Sequence, residues 1–234
     1  RDQPRSRGLG DVYKRQIYAL ADLHLDYTEE KSMEVFGDAW ENYQDKIFEN
    51  WKEKIKDEDT VLIPGDISWA MDMKDAKVDL MKIDKLPGNK IMMKGNHDYW
   101  WSSLNKLNRL GFESIEFLQN NAFEVEDYMV CGTRGWISRD SRDFTDHDEK
   151  IFKRELLRLE NSITSLKSEK PIILNLHYPP LNTDGSLNEF FYLAKKYKVQ
   201  TIVYGHLHGD GHRLIKEGIY EGVRLICASS DYIG

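Results

Sequence analysis

Short apolar runs, each leading into a polar motif, constrain this chain more than any other feature. Five recur, at 17–21, 61–64, 90–93, 172–176 and 201–204. Their length and continuity fit strands covered on both faces rather than strands half open to water. Helical periods lie between them. Trp40, Ile47, Trp51 and Ile55 share one face of a segment from 38 to 56. Phe152, Leu156, Leu159, Ile163 and Leu166 repeat at alternating steps of four and three, with Thr145 and Asp148 spaced for a capping box upstream. That stripe is too short for a coiled-coil seam and reads as a surface helix with one buried face. Two hairpins are expected, 123–125 with 128–131 around Glu126-Asp127, and 218–220 with 223–227 around Glu221-Gly222. Helices interleaved with buried strands predict an α/β domain with mixed sheets. No internal repeat or low-complexity linker interrupts it.

With 234 residues the chain can bury a full core unaided, and Cys131 and Cys227 are too few for a disulfide framework. A reducing compartment, the cytoplasm, is the expectation. No apolar run approaches the roughly 18 residues of a membrane span. Residues 1–16 lack apolar periodicity and a signal-peptide core, and they read as a tail. The portion GLGDVYKRQ looks like translated adapter sequence; a disordered basic arm is the alternative. The chain stops in a strand-rich region, so clipping at both ends is expected. The formal charge is −7. Without residues 1–16, 28 basic and 38 acidic residues remain, a charge of −10. That balance argues against a stable nucleic-acid partner and favours a small ligand.

Five of the seven histidines fall in motifs that follow the apolar runs. These are Asp22-Leu23-His24, Gly65-Asp66, Gly95-Asn96-His97-Asp98, His177 and Gly205-His206-Leu207-His208. Side chains at the carboxyl ends of neighbouring strands converge on one crevice. Within D-x-H and H-x-H, a two-residue spacing turns both side chains to the same side of extended backbone, so each pair can grip one ion. Imidazole, carboxylate and amide ligands without thiolate suit borderline ions such as Mn²⁺, Fe²⁺ or Zn²⁺ better than a Cys-rich structural zinc site would. Asp22, His24, Asp66, Asn96, His177, His206 and His208 are too many for one ion and enough for two sharing a carboxylate. Two such ions, about 3.5 to 4 Å apart, clamp an in-line displacement at phosphorus. They also supply local positive charge for an anionic substrate on an acidic chain.

Singly these motifs are weak, since a lone G-D or a lone histidine after a strand is usually structural. Together and in order they resemble the calcineurin-like metallophosphoesterase superfamily, whose pattern D-x-H, G-D, G-N-H-[DE], H, G-H-x-H runs here from Asp22 to His208. The resemblance implies a four-layer α/β/β/α sandwich, two mixed β-sheets flanked by helices, in one domain over 17–234. It implies a dimetal phosphohydrolase of phosphomonoesters or phosphodiesters, in which a metal-bridging hydroxide attacks phosphorus. Asp22, His24, Asp66 and His208 would hold the first ion, and Asp66, Asn96, His177 and His206 the second. His97 would stand by the leaving group, as general acid or as a cation stabilising the transition-state oxygens, with Asp98 orienting it or supporting the loop. Where the protein-phosphatase branch has a second Asp paired with the catalytic histidine, this chain has Trp69.

Arg134, in Gly132-Thr133-Arg134-Gly135-Trp136, is a candidate phosphate clamp or an ordinary salt-bridged arginine. Tyr99, Trp100 and Trp101 are candidates for stacking on a ligand, with packing the stronger reading. His147 is expected in solvent and His212 beside the site. The loops that would select a substrate, 27–36, 69–79, 132–148 and 179–186, carry no recognisable reading motif. Against the hydrolase stands a silent scaffold on the same fold, although no ligand is missing; a nuclease is a minor alternative, with only Arg134, Arg139 and Arg142 as a basic path.

Overall fold

Strands β1 (Ile17–Ala19), β2 (Thr60–Ile63), β3 (Asn89–Met93) and β4 (Ile115–Leu118) pair in that order in a computed structural model. It describes residues 15–28, 32–37 and 40–233. This sheet is parallel throughout. A second sheet, β5 (Phe123–Val125), β6 (Tyr128–Thr133), β7 (Ile172–Leu176), β8 (Thr201–Tyr204), β10 (Val223–Cys227) and β9 (Gly218–Tyr220) in spatial order, is mixed, because both expected hairpins form at its edges. Mixed pairing is thus confined to the sheet that contains hairpins. The first is joined only by crossovers, and those enforce parallel strands.

The apolar runs are continuous because both faces of their strands are buried. Leu62, Ile91, Met93, Val130, Ile173 and Val203 face inward between the sheets. Val61, Ile63 and Met92 face outward under α1 (Tyr43–Lys54) and α2 (Met73–Asp84). Leu174, Leu176, Ile202 and Tyr204 face outward under α4 (Asp146–Thr164) and α5 (Glu189–Lys196), completing the four layers.

Helix α4 starts with the expected capping box: the Thr145 hydroxyl accepts from Asp148 N–H, and the Asp148 carboxylate from Thr145 N–H. Its buried stripe holds Phe152, Leu159 and Ile163 but also Glu155 and Ser162, while Leu166 lies past its end. Helix α1 is shorter than the expected 38–56, and residues 38 and 39 lie outside the described residues. The segment 69–79 is not all loop. Asp72 caps α2 by accepting from the N–H groups of Lys74 and Asp75. Of the expected tail, residues 1–14 lie outside the described residues. Gln16 is tied in, donating its N–H to Asp59 (2.8 Å) and accepting from Thr60 N–H (3.0 Å). Cys131 and Cys227 are buried free thiols. Among the described residues no helix is long and apolar enough to cross a membrane.

Candidate metal centre

After β1 the chain leaves the first sheet and joins the second: Ala21 N–H donates to Ala228 (2.7 Å), and Ser230 N–H to Ala21 (3.1 Å). Asp22 and His24 then bond to the G-D loop, donating to the carbonyls of Gly65 (3.0 Å) and Asp66 (2.9 Å). The seam between the sheets therefore carries the first motif and holds it against the second.

The backbone here is not extended, contrary to the reading from spacing. Asp22, His24, Asp66 and His206 have φ values of 62°, 44°, 51° and 73°, in the left-handed region that non-glycine residues rarely adopt. Such strain persists where surrounding structure fixes it, and it clusters at functional sites. It changes how the ligands are shared. Asp22 and His24 do fall in one group, but with His208; the H-x-H pair is split, and His206 joins Asp66 and His177. The turned backbone at His206 sends the two rings to different groups. Glycines supply the room: a Cβ on Gly95 would lie 2.0 Å from Asp66 Oδ1, and one on Gly205 2.6 Å from Asp22 Oδ2.

Each carboxylate uses one oxygen for the backbone. Asp22 Oδ2 accepts from His206 N–H (2.9 Å) and Asp66 Oδ1 from His97 N–H (2.8 Å). The other oxygens, Asp22 Oδ1 and Asp66 Oδ2, are buried and accept no hydrogen bond among the described residues. Around them stand imidazole nitrogens: His208 Nε2 is 3.6 Å and His177 Nδ1 3.7 Å from Asp22 Oδ1, and His177 Nε2 is 3.4 Å and His24 Nε2 3.8 Å from Asp66 Oδ2. Asn96 Oδ1 lies 2.6 Å from His177 Nε2 and 2.9 Å from His206 Nδ1. Buried polar atoms without partners are expensive unless something occupies the space between them. Oxygen and nitrogen donors in two groups fit divalent cations. Further bonds set the rings: His177 Nδ1 is 2.9 Å from the Pro64 carbonyl, and His208 Nδ1 2.8 Å from Asp231. Each arrangement leaves Nε2 facing inward.

Without metal, protons partly stand in for it. Burial, the largest single effect, opposes charge on every member. Asp22 and Asp66 are nevertheless held below the usual carboxylate range by His208 and His177 respectively. His208 is raised to about 10 by the carboxylates of Asp22 and Asp231, and His177 to about 8 by those of Asp66 and Asp22. Burial wins at His24, lowered to about 4, and at His206, lowered to about 3.

His97 lies beside them, half-buried, its pKa lowered chiefly by burial and its buried Nδ1 without a partner among the described residues. Trp69 lies 4.4 Å from His97 and is stacked at 4.9 Å on His24, so an aromatic surface fills the place of the second Asp. Asp98 points away: Oδ2 accepts from the N–H groups of Gly95 (2.7 Å) and Asp66 (3.0 Å), and Oδ1 from Ile67 (2.9 Å) and Ser68 (3.2 Å). This is the loop-supporting geometry of the two considered. Arg134 touches the centre through its backbone, its carbonyl accepting from His177 N–H (3.2 Å) and Tyr178 N–H (2.9 Å). Its guanidinium lies over Trp136 and 3.6 Å from Glu155. Trp100 is buried, Trp101 packs on Phe117, and only Tyr99 is exposed beside His97. His147 is exposed, and His212 meets Asp231 at 3.2 Å.

Sequence reasoning missed Asp231, Trp40, Tyr43 and Tyr178. Trp40 meets His24 and His208 edge-on, the Tyr43 hydroxyl donates to the His24 carbonyl (2.5 Å), and Tyr178 covers His206 at 4.2 Å. Asp231 also follows a strand, β10, but the parallel pairing with β8 that brings it to the site is seen only in the structure.

The α/β/β/α sandwich thus carries, at its strand ends, two oxygen-and-nitrogen groups that could hold metal ions. The calcineurin-like phosphoesterase family model matches residues 15–210, and the chain belongs to that family of metal-dependent phosphoester hydrolases. No curated protein matches it in sequence. Among solved structures it resembles the phosphopantetheinyl hydrolase of Mycobacterium tuberculosis, with a TM-score of 0.56 at 13% identity over 92% of this chain and 89% of that one. A protein of unknown function from Aquifex aeolicus, AQ665, gives 0.49 at 17% identity over 93% and 91%. The first likeness bears on fold alone.

Proposed function

We propose that residues 17–234 form one phosphohydrolase domain that cleaves a small phosphomonoester or phosphodiester with two divalent ions. The observation that carries this is the pair of buried, unpartnered carboxylate oxygens, Asp22 Oδ1 and Asp66 Oδ2, each facing histidine nitrogens. Asp22, His24 and His208 would hold one ion, and His177, His206 and Asn96 the other, with Asp66 between them. Mn²⁺ is the preferred occupant, with iron or Zn²⁺ as alternatives. Such ions supply Lewis acidity and a nucleophile at neutral pH. The chain's own residues do the rest. His97, packed against Trp69, is placed to give a proton to the leaving oxygen or to stand by it as a cation, and burial, which lowers its pKa, makes the protonated ring the readier donor. Asp98 fixes the G-D and G-N-H loops relative to each other and so acts as a positioning residue.

The test is hydrolysis of p-nitrophenyl phosphate and bis-p-nitrophenyl phosphate with added Mn²⁺, alongside metal analysis. Folded protein with no metal-dependent turnover of either would sink the reading. His97→Ala is expected to keep its metal content and lose about 10² to 10⁴ in turnover; wild-type turnover would remove His97 from its role.

A further inference from the structure

Beside the metal centre, a second cavity of about 260 Å³ opens between the ends of β3, β4 and β6 and the flank of α4. Its charged wall consists of Lys94, Arg134, Arg158 and one carboxylate, Glu155. Glu155 is 1% exposed and already engaged, accepting from the Thr133 hydroxyl at 2.6 Å and from Arg158 at 2.7 Å, with Arg134 at 3.6 Å. Three cations therefore face one saturated anion. Among the described residues the half-buried Lys94 ammonium has no ion pair, and Arg134 Nε is buried without an acceptor. Unbalanced cations partly withdrawn from water are costly, and an anion from outside offsets that cost. The surplus of two charges matches a dianion better than a carboxylate, and the arginine forks suit tetrahedral oxyanions. Asn120, also on the wall, adds a neutral amide. The cavity shares its loops with the metal centre, since Lys94 stands two residues before Asn96 and the Arg134 carbonyl holds His177.

We propose that this cavity is a second phosphoryl-binding site, holding a phosphate of the substrate other than the one cleaved. The substrate class is then a small molecule with two separated phosphoryl groups. Its role in turnover rests on the phosphohydrolase reading; its capacity to bind does not.

Equilibrium dialysis of the full chain against radiolabelled inorganic phosphate, with and without Mn²⁺, separates the two. Wild type is expected to bind one phosphate that persists after a chelating resin strips the metal, and a second that requires Mn²⁺. Lys94→Gln and Arg158→Gln should each weaken the metal-independent phosphate at least tenfold while the metal-dependent one stays. Lys94 breaks no ion pair when replaced, so that variant guards against a folding defect at Arg158, with circular dichroism as the check. Only a metal-dependent phosphate in wild type, or a metal-independent one insensitive to both substitutions, overturns the proposal. Displacement by acetate as effective as by sulfate overturns the dianion assignment. A metal-independent phosphate lost in Lys94→Gln, with no metal-dependent one at all, supports the cavity and counts against the hydrolase reading instead.

Discussion

The imidazole of His208 gives its Nδ1 to Asp231 and turns Nε2 toward Asp22, an arrangement that accepts either a proton or a metal ion. Without metal the proton is held to about pH 10, and that on His177 to about 8. Metal takes the neutral ring, so at pH 7 binding must expel these protons, about two per chain, and apparent affinity must fall from pH 8 to 6. Calorimetry in buffers of different protonation enthalpy measures this; zero release would contradict the arrangement. Stability of the metal-free chain moves the opposite way. The His208 contribution is complete below the unfolded imidazole pKa of about 6.5 and is lost as pH rises through about 10, so denaturation midpoints should fall across that window. Asp231→Asn should weaken metal binding about 10- to 100-fold, as loss of a partner behind a ligand does. The ligands themselves were legible because each ends an apolar run. Asp231 was not: the β9–β10 hairpin shows one neighbour of β10 in the sequence, while its parallel partner β8 becomes visible only in the sheet.

At the scale of elements, strands buried on both faces announced themselves as apolar runs and the hairpin strands by their tight turns, while β4 had neither signal. The edge strand β4, Ile115-Glu116-Phe117-Leu118, exposes Glu116 and so breaks its apolar run. Helix α2 buries Asp79 among Ala76, Leu80 and Ile83, and a carboxylate in the stripe hides the helical period. Loop geometry was the least legible, because left-handed φ at Asp22, His24, Asp66 and His206 is imposed by packing between loops. Asp98 is the main tie, taking four backbone N–H groups on two loops. Asp98→Asn turns an amide NH₂ toward two of those donors, costing about 1 to 3 kcal/mol for each one left unsatisfied. Lower thermal stability together with weaker metal binding is the expected result. Turnover lost at full metal content and unchanged stability would place Asp98 in the chemistry instead. Thr145→Ala, far from the site, should cost about 1 kcal/mol through the α4 cap and leave metal affinity alone.

Across the whole molecule, each ligand group draws on both sheets. Asp22 and His24 follow β1 of the first sheet and meet His208 beyond β8 of the second; Asp66 follows β2 and meets His177 and His206, beyond β7 and β8. The layer between the sheets is narrow and apolar, with residues such as Ala21, Leu62, Val130 and Val203, and it ends at this rim. Apolar periodicity announced two covered faces per strand, but not which strands would share a sheet; the family resemblance supplied a two-sheet sandwich, and the pairing of strands is seen only in the structure. Bound ions would therefore join the sheets where the apolar layer stops. An ion at one hundred times its dissociation constant stabilises the fold by about 2.7 kcal/mol, so two give about 5. For a chain of this size that raises the melting temperature by roughly 10 to 20 °C. Scanning calorimetry of metal-loaded and chelator-treated protein measures the shift. Because each ion would span the sheets, Asp22→Asn and His206→Ala, on opposite sheets, should each remove a large part of it. A melting temperature indifferent to metal, in protein shown to hold it, would mean that the sheets are set by the apolar layer alone and the ions merely rest on them.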